Sequence, residues 1–168
     1  MNQSENAQAA YLNLLERLES LILATVSVEG VPNASYAPFV RDEANNFYIY
    51  VSGLALHTRN LLAVPRASIL LIEDESNCAR IFARTRLSFE CTVTLLEREI
   101  PIWNEIVDRF ASRFDETISM MRDLADFQVF QLTPEQGRFV MGFGRIYRID
   151  SQDLDRLQPM TPQNVGNN

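Results

Sequence analysis

The sequence contains no lysine; all 15 of its basic side chains are arginine. Schiff-base chemistry and a lysine clamp on phosphate are therefore excluded. There is a single histidine, His57, so chemistry that needs two imidazoles is excluded unless two subunits share a site. The two cysteines, Cys78 and Cys91, fit neither a metal-ligand spacing nor a disulfide framework. Cys91 falls at an alternating strand position, which makes it a buried, inert thiol. No apolar run approaches the ~20 residues of a membrane span. The polar, acidic start of the chain is unlike a secretory signal, so the expectation is a cytoplasmic protein that does not engage a membrane. Neither a Gly-rich phosphate loop nor a dinucleotide fingerprint occurs. The net charge of −7 argues against nucleic acid as a partner.

What is present is the composition of one globular domain: 168 residues, 46% hydrophobic and 22% charged. Leu12, Leu15, Leu18 and Ile22 recur at helical spacing, which predicts an amphipathic helix over residues 7–21. Strands are predicted over residues 23–28, 33–40 and 47–52, the first two joined by a turn at Glu29-Gly30. Pro65 stops a short helix that begins near His57. Residues 67–72 read as a strand buried on both faces, and residues 78–82 as one helical turn. Residues 86–97 alternate as a long strand. Trp103, Ile106, Val107 and Phe110 mark one face of a helix over residues 100–114, with Pro101 in its first turn. A further helical piece spans 115–124. Residues 127–132 form a strand, 134–137 a turn, and 139–149 a last strand broken by Gly142 and Gly144. The fold class is mainly β with appended helices (α+β), an antiparallel barrel. Residues 1–20 form an N-terminal helical segment, 21–150 the barrel domain, and 151–168 a disordered, Pro/Asn/Gln-rich tail.

Residues 51–61 make a strand-to-helix turn, a place where backbone N–H groups and short polar side chains face an anion. Ser52, Thr58, Arg59 and Asn60 could gather there around a phosphate. His57 is either a hydrogen-bonded structural residue or a metal ligand. Arg84 and Arg86 face one side if Arg86 begins a strand, an arrangement that suits two carboxylates. The alternative pairs them with the acidic Glu73-Asp74-Glu75 segment. Tyr36 and Phe39 either line an apolar slot or pack in the core, and Trp103 belongs to the core or a subunit interface.

Residues 32–40, 56–61, 72–75 and 81–87, together with Asp126-Phe127, residues 134–137 and 139–144, resemble the bacterial haem-utilisation proteins. These are a branch of the pyridoxamine-phosphate-oxidase-like, FMN-binding split-barrel superfamily. The resemblance runs from about residue 21 to 149. It implies a split β-barrel homodimer with cofactor sites at the subunit interface. It also implies that the cofactor is haem in some members, which break it down using electrons from an external donor. His57 then stands near the cofactor groove as a candidate ligand to haem iron, and Arg84 and Arg86 as anchors for propionates. Asp126 matches an aspartate that, in haem-degrading relatives, bonds the iron-ligating histidine across the dimer and is the candidate catalytic residue. The chain departs from that pattern because residues 151–168 contain no histidine. FMN is the alternative cofactor, yet residues 55–57 replace the Ser-Arg-Lys sequence of the flavin-using oxidases. Three readings follow: a haem-binding protein of the haem-oxygenase type, an FMN-dependent oxidoreductase, or a catalytically silent binding or storage protein.

Overall fold

A computed structural model describes residues 3–114 and 117–161. The elements run α1 (Gln3–Arg17), β1 (Ser20–Val26), β2 (Pro32–Arg41), β3 (Phe47–Ser52), α2 (Leu56–Ala63), β4 (Arg66–Ile72) and β5 (Arg86–Leu95). They continue with α3 (Pro101–Phe114), α4 (Thr117–Arg122), β6 (Phe127–Val140), β7 (Ile146–Asp150) and β8 (Asp153–Pro159). Two single turns of 3-10 helix, Glu75–Asn77 and Ile81–Ala83, lie between β4 and β5. All strand pairs are antiparallel, in the order β3-β2-β1-β4-β5-β6-β7-β8, and β3 pairs back onto β6. That last pairing closes six strands into a barrel and leaves β7 and β8 as a flap continuing from β6.

Two apolar layers hold this arrangement. Inside the barrel, inward positions such as Leu23, Phe39, Ile49, Leu71, Phe89, Leu132 and Phe139 are buried, and α1 adds Tyr11, Leu14 and Leu15. Outside it, α3 and α4 cover β3 with Trp103, Ile106, Val107, Phe110 and Ile118, which meet Tyr48, Tyr50 and Val129. The double cover makes β3 buried along nearly its whole length. Trp103 and Phe39 are thus core residues, whereas Tyr36 is 67% exposed. Burial pushes the Cys91 thiol up to about 12, so it stays protonated and inert.

Several expectations need correction. The helix ends at Arg17 and buries Ala7, Tyr11, Leu14 and Leu15, whereas Leu12 is outward and Ile22 belongs to β1. β4 buries only Ile69 and Leu71 fully, because among the described residues no helix covers its outer face. Residues 134–137 are not a turn; β6 runs unbroken from Phe127 to Val140. Pro134 is accommodated because the ladder with β5 shifts register there, opposite Glu90/Cys91, so the missing N–H falls at a bulge. The chain turns later, at residues 141–145, where Gly142 and Gly144 have φ of 143° and 73°. β8 lies in the segment expected to be disordered. Its backbone pairs with β7, Leu154 and Leu157 pack on the barrel, and the Tyr11 hydroxyl donates to the Leu154 carbonyl at 2.9 Å. Residues 115–116 of the expected fourth helix, and 162–168 of the expected tail, lie outside the described residues.

Gly137 is a strand glycine required by packing. A Cβ built there falls inside contact distance of the Phe89 ring and 3.1 Å from the Ser88 carbonyl oxygen. Gly137→Ala should cost about 1–3 kcal/mol by overpacking, read as a lower denaturation midpoint at unchanged m. Trimming the ring with Phe89→Leu should return part of the loss in the double variant. Additive losses would refute the contact.

Candidate functional site

The strand-to-helix turn forms as the sequence predicts, but its polar side chains are occupied. Ser52 Oγ donates to Asp126 Oδ2 at 2.7 Å and accepts from the Leu54 N–H at 3.1 Å. The Gly53 N–H donates to the Asp126 carbonyl at 2.7 Å, so Asp126 fastens the start of β6 to this turn. Thr58 is fully buried and its hydroxyl donates to the Ser52 carbonyl at 2.7 Å. Asn60 is buried and its Nδ2 donates to Thr25 Oγ1 at 3.0 Å. Of the four residues proposed to hold a phosphate, two are consumed inside the barrel mouth and Ser52 is engaged by Asp126. Only Arg59 is exposed. These side chains do not fit the phosphate of FMN.

His57 points into the same mouth. Its Nδ1 lies 3.0 Å from Ser35 Oγ, on an inward position of β2. Its Nε2 is buried and has no hydrogen-bond partner. An iron ligand needs a ring nitrogen that the metal can reach; here Nε2 is buried and Nδ1 is engaged by Ser35. Within the chain these contacts match the structural alternative for His57, a hydrogen-bonded imidazole at the barrel mouth. Within the chain, Asp126, the aspartate expected to meet a histidine across the dimer, accepts from Ser52 through Oδ2.

Arg84 realises the alternative weighed for it. Its Nε donates to the Glu73 carbonyl at 2.6 Å and its Nη1 pairs with Glu75 at 2.9 Å. Arg86 donates to the Arg84 carbonyl at 3.0 Å. These arginines also stand far from the α2 turn. Ser52 pairs with Phe127 at one end of β6 and Arg86 with Val140 at the other, roughly 40 Å of strand apart. One chain cannot bring both groups to one cofactor.

A different surface combines apolar area with free cations. Register partners across seven strands place Tyr36, Ile22, Leu70, Ser88, Arg138, Arg148 and Gln158 in one row. All seven alternate with buried neighbours or lie on the open side of the flap, so the row faces outward. Its first three members are apolar, with Ile22 41% exposed. Its far end opens into a groove of about 300 Å³ lined by Ser88, Glu90, Gln136, Arg138, Arg148 and Gln158. The sequence reading did not find Arg138 and Arg148, because it placed a turn where β6 is continuous and so could not count their register. Among the described residues there is no cluster of His, Cys, Asp and Glu able to hold a metal ion.

A closed barrel with a trailing flap is a fold with known members. Residues 7–141 match the family described as pyridoxamine 5'-phosphate oxidase. The chain belongs to this family. Within it, the chain falls in the haem-utilisation branch. It is 42% identical over 136 residues to the protein named haem oxygenase HutZ of Vibrio cholerae, covering 81% of this chain and 77% of that one. The crystal structure of HutZ, described there as a haem storage protein, superposes with a TM-score of 0.76 at 40% identity, covering 81% of this chain and 95% of that one. The ChuZ structure of Campylobacter jejuni superposes with a TM-score of 0.85 at 27% identity, over 100% of this chain and 68% of that one. A chloroplast protein of Arabidopsis thaliana named non-canonical haem oxygenase HOZ is 26% identical over 149 residues. That match covers 83% of this chain and 44% of the longer relative.

The burial of His57 has a consequence in pH. Desolvation holds its imidazole below the ordinary 6.5. Above that value both folded and unfolded chains carry it neutral and its full contribution is present. As pH falls below about 6.5 the unfolded chain takes up the proton first, so stability declines, by at most about 1.4 kcal/mol per pH unit. Melting curves between pH 7.5 and 5 should therefore show a steeper acid loss for the wild type than for His57→Gln. Parallel curves would contradict the buried, neutral imidazole.

Proposed function

We propose that the chain is a haem-binding protein of the haem-utilisation type, acting as a cytoplasmic homodimer that holds haem or a similar flat tetrapyrrole between subunits. The outward row carries this reading. Tyr36, Ile22 and Leu70 form an apolar strip on the side of the barrel that, among the described residues, no helix covers, whereas α3 and α4 cover the other side. A two-fold pairing of such strips buries them and leaves a crevice at their edge. HutZ supports the reading through its printed haem-oxygenase and haem-storage descriptions and its 42% identity.

The residues fit the ligand in part. A flat macrocycle needs apolar area and cations for its acidic edge, and the row supplies both. The buried Nε2 of His57 and the Ser35 contact of its Nδ1 argue against it as axial ligand. Oxygen activation is chemistry that the haem iron supplies, with electrons from an external donor. The chain's own contribution is to bind and orient the ring and to exclude water. Asp126 and Ser52 belong to the scaffold at the barrel mouth, where they hold α2 and β6 together. The FMN reading is not favoured, because Thr58 and Asn60 are buried and already bonded.

Hemin titration should shift and saturate the Soret band at one haem per chain. Sedimentation should give a dimer. Ile22→Glu, which places a charge on the apolar strip, should yield a folded monomer by circular dichroism that binds hemin at least about tenfold more weakly. Added FMN should leave the melting temperature unchanged, since a ligand specific to the native state must raise it. A monomeric wild type, or an unsaturated Soret response, would overturn the proposal.

A further inference from the structure

Arg138 on β6 and Arg148 on β7 are direct register partners, both on the outward face. Like charges placed directly opposite each other repel, and this arrangement costs stability unless an anion lies between them. Among the described residues neither guanidinium forms an ion pair, although Glu90 lines the same groove. Ser88, the partner of Arg138 on β5, and Gln158, the partner of Arg148 on β8, add hydrogen-bonding groups on either side. Arg86 sits two residues from Ser88 on the same face of β5, diagonal to Arg138.

The apolar strip leads straight to this pair. Leu70 lies opposite Ser88, and Ser88 opposite Arg138, so the strip ends two strand spacings, about 10 Å, from the first guanidinium. A ligand that matches has a flat apolar body and two anionic arms on one edge. Inorganic phosphate would use only the arginines, and FMN carries a single phosphate at the end of a polar chain. A tetrapyrrole bearing two carboxylates uses both halves of the surface.

We infer that Arg138 and Arg148 are the carboxylate anchors of the ligand site, each taking one acidic arm of the tetrapyrrole through charge-assisted hydrogen bonds. This rests on the haem reading above and adds to it the residues that hold the acidic edge. Arg84, already bonded to Glu73 and Glu75, is not one of them.

The test compares the wild type, the Arg138→Gln/Arg148→Gln double variant and Arg84→Gln in four titrations. The probes are hemin, metal-free protoporphyrin IX followed by its fluorescence, and the dimethyl ester of each in matched detergent. The double variant should bind the free acids roughly 30-fold or more weakly, the size expected for two lost charge-assisted bonds. It should bind the esters as the wild type does and remain a dimer by sedimentation. Arg84→Gln should bind all four probes normally. Equal affinity of wild type and double variant for the free acids would overturn the inference and leave the haem reading standing. Equal weakening for acids and esters, or dissociation of the dimer, would also overturn it, by showing that the pair supports the fold or the partner. A wild type that binds none of the probes would remove the haem reading and this inference together.

Discussion

One strand, β6, has to satisfy more backbone than a single neighbour can. Along one edge it pairs with β5 from Phe130 to Val140. Along the other it pairs first with β3, from Phe127 to Leu132, and then with β7, from Gln136 to Val140. The first pairing closes the barrel; the second opens it into the flap. Between them lies Pro134, whose missing N–H would break a regular ladder but falls at a register shift. Three residues further on, the absence of a side chain at Gly137 admits the Phe89 ring into the barrel. Without that bend and that space, β6 could not serve both the barrel and the flap. The row of outward side chains that crosses from one to the other would not exist.

The same strand sets the distance between the chemically distinctive residues. At its start, Asp126 holds Ser52 and Gly53, and α2 turns His57 and Asn60 into the barrel mouth. At its end, Val140 meets Arg86 near the acidic segment that engages Arg84. At each end polar side chains find partners: Asp126 with Ser52 and Asn60 with Thr25 at the first, Arg84 with the Glu73 carbonyl and Glu75 at the second. The outward face beside the second end is different. There Arg138 and Arg148 stand opposite one another, in a row that continues to Leu70 and Ile22, which no helix covers among the described residues. Burial of apolar area drives association at about 25 cal/mol per Å², and unpaired cations attract acids. An unfinished surface of this mixed kind is where a partner subunit and a ligand gain most.

Much of this was legible in the sequence. β3 occupies the predicted residues 47–52 because its aromatic and β-branched run leaves no other choice. The α3 face of Trp103, Ile106, Val107 and Phe110 is buried as its spacing predicts, since an amphipathic helix has one way to hide such a stripe. The errors share a cause, which is that local signals were outvoted by long-range partners. The residues 134–137 carry turn chemistry, yet β5 and β7 on either side hold them extended. The segment from Asp153 is polar enough to read as disordered, yet β7 and Tyr11 fix it. The phase of α1 was misjudged because Ile22, counted with the helix, belongs to a strand. Site residues followed the same division. Motif positions such as Asp126 and His57 were found, but their partners were not. Arg138 and Arg148 were missed because nothing short of the strand register shows that they are neighbours.

The fate of the lone histidine ties these points together. A side chain that could ligate metal draws attention in a chain with no other imidazole, but availability depends on where its nitrogens lie. On α2, His57 and Asn60 sit three residues apart and so share one face, and that face meets inward positions of β1 and β2 through Thr25 and Ser35. Freeing the imidazole would break the Ser35 bond and turn the first helical turn away from the barrel mouth. It would also expose Thr58, which is buried beside it. In the proposed reading, the histidine serves the barrel mouth and recognition falls to arginine, a side chain that keeps its charge near neutral pH. A site built that way keeps its own cations across the range in which an imidazole changes its protonation.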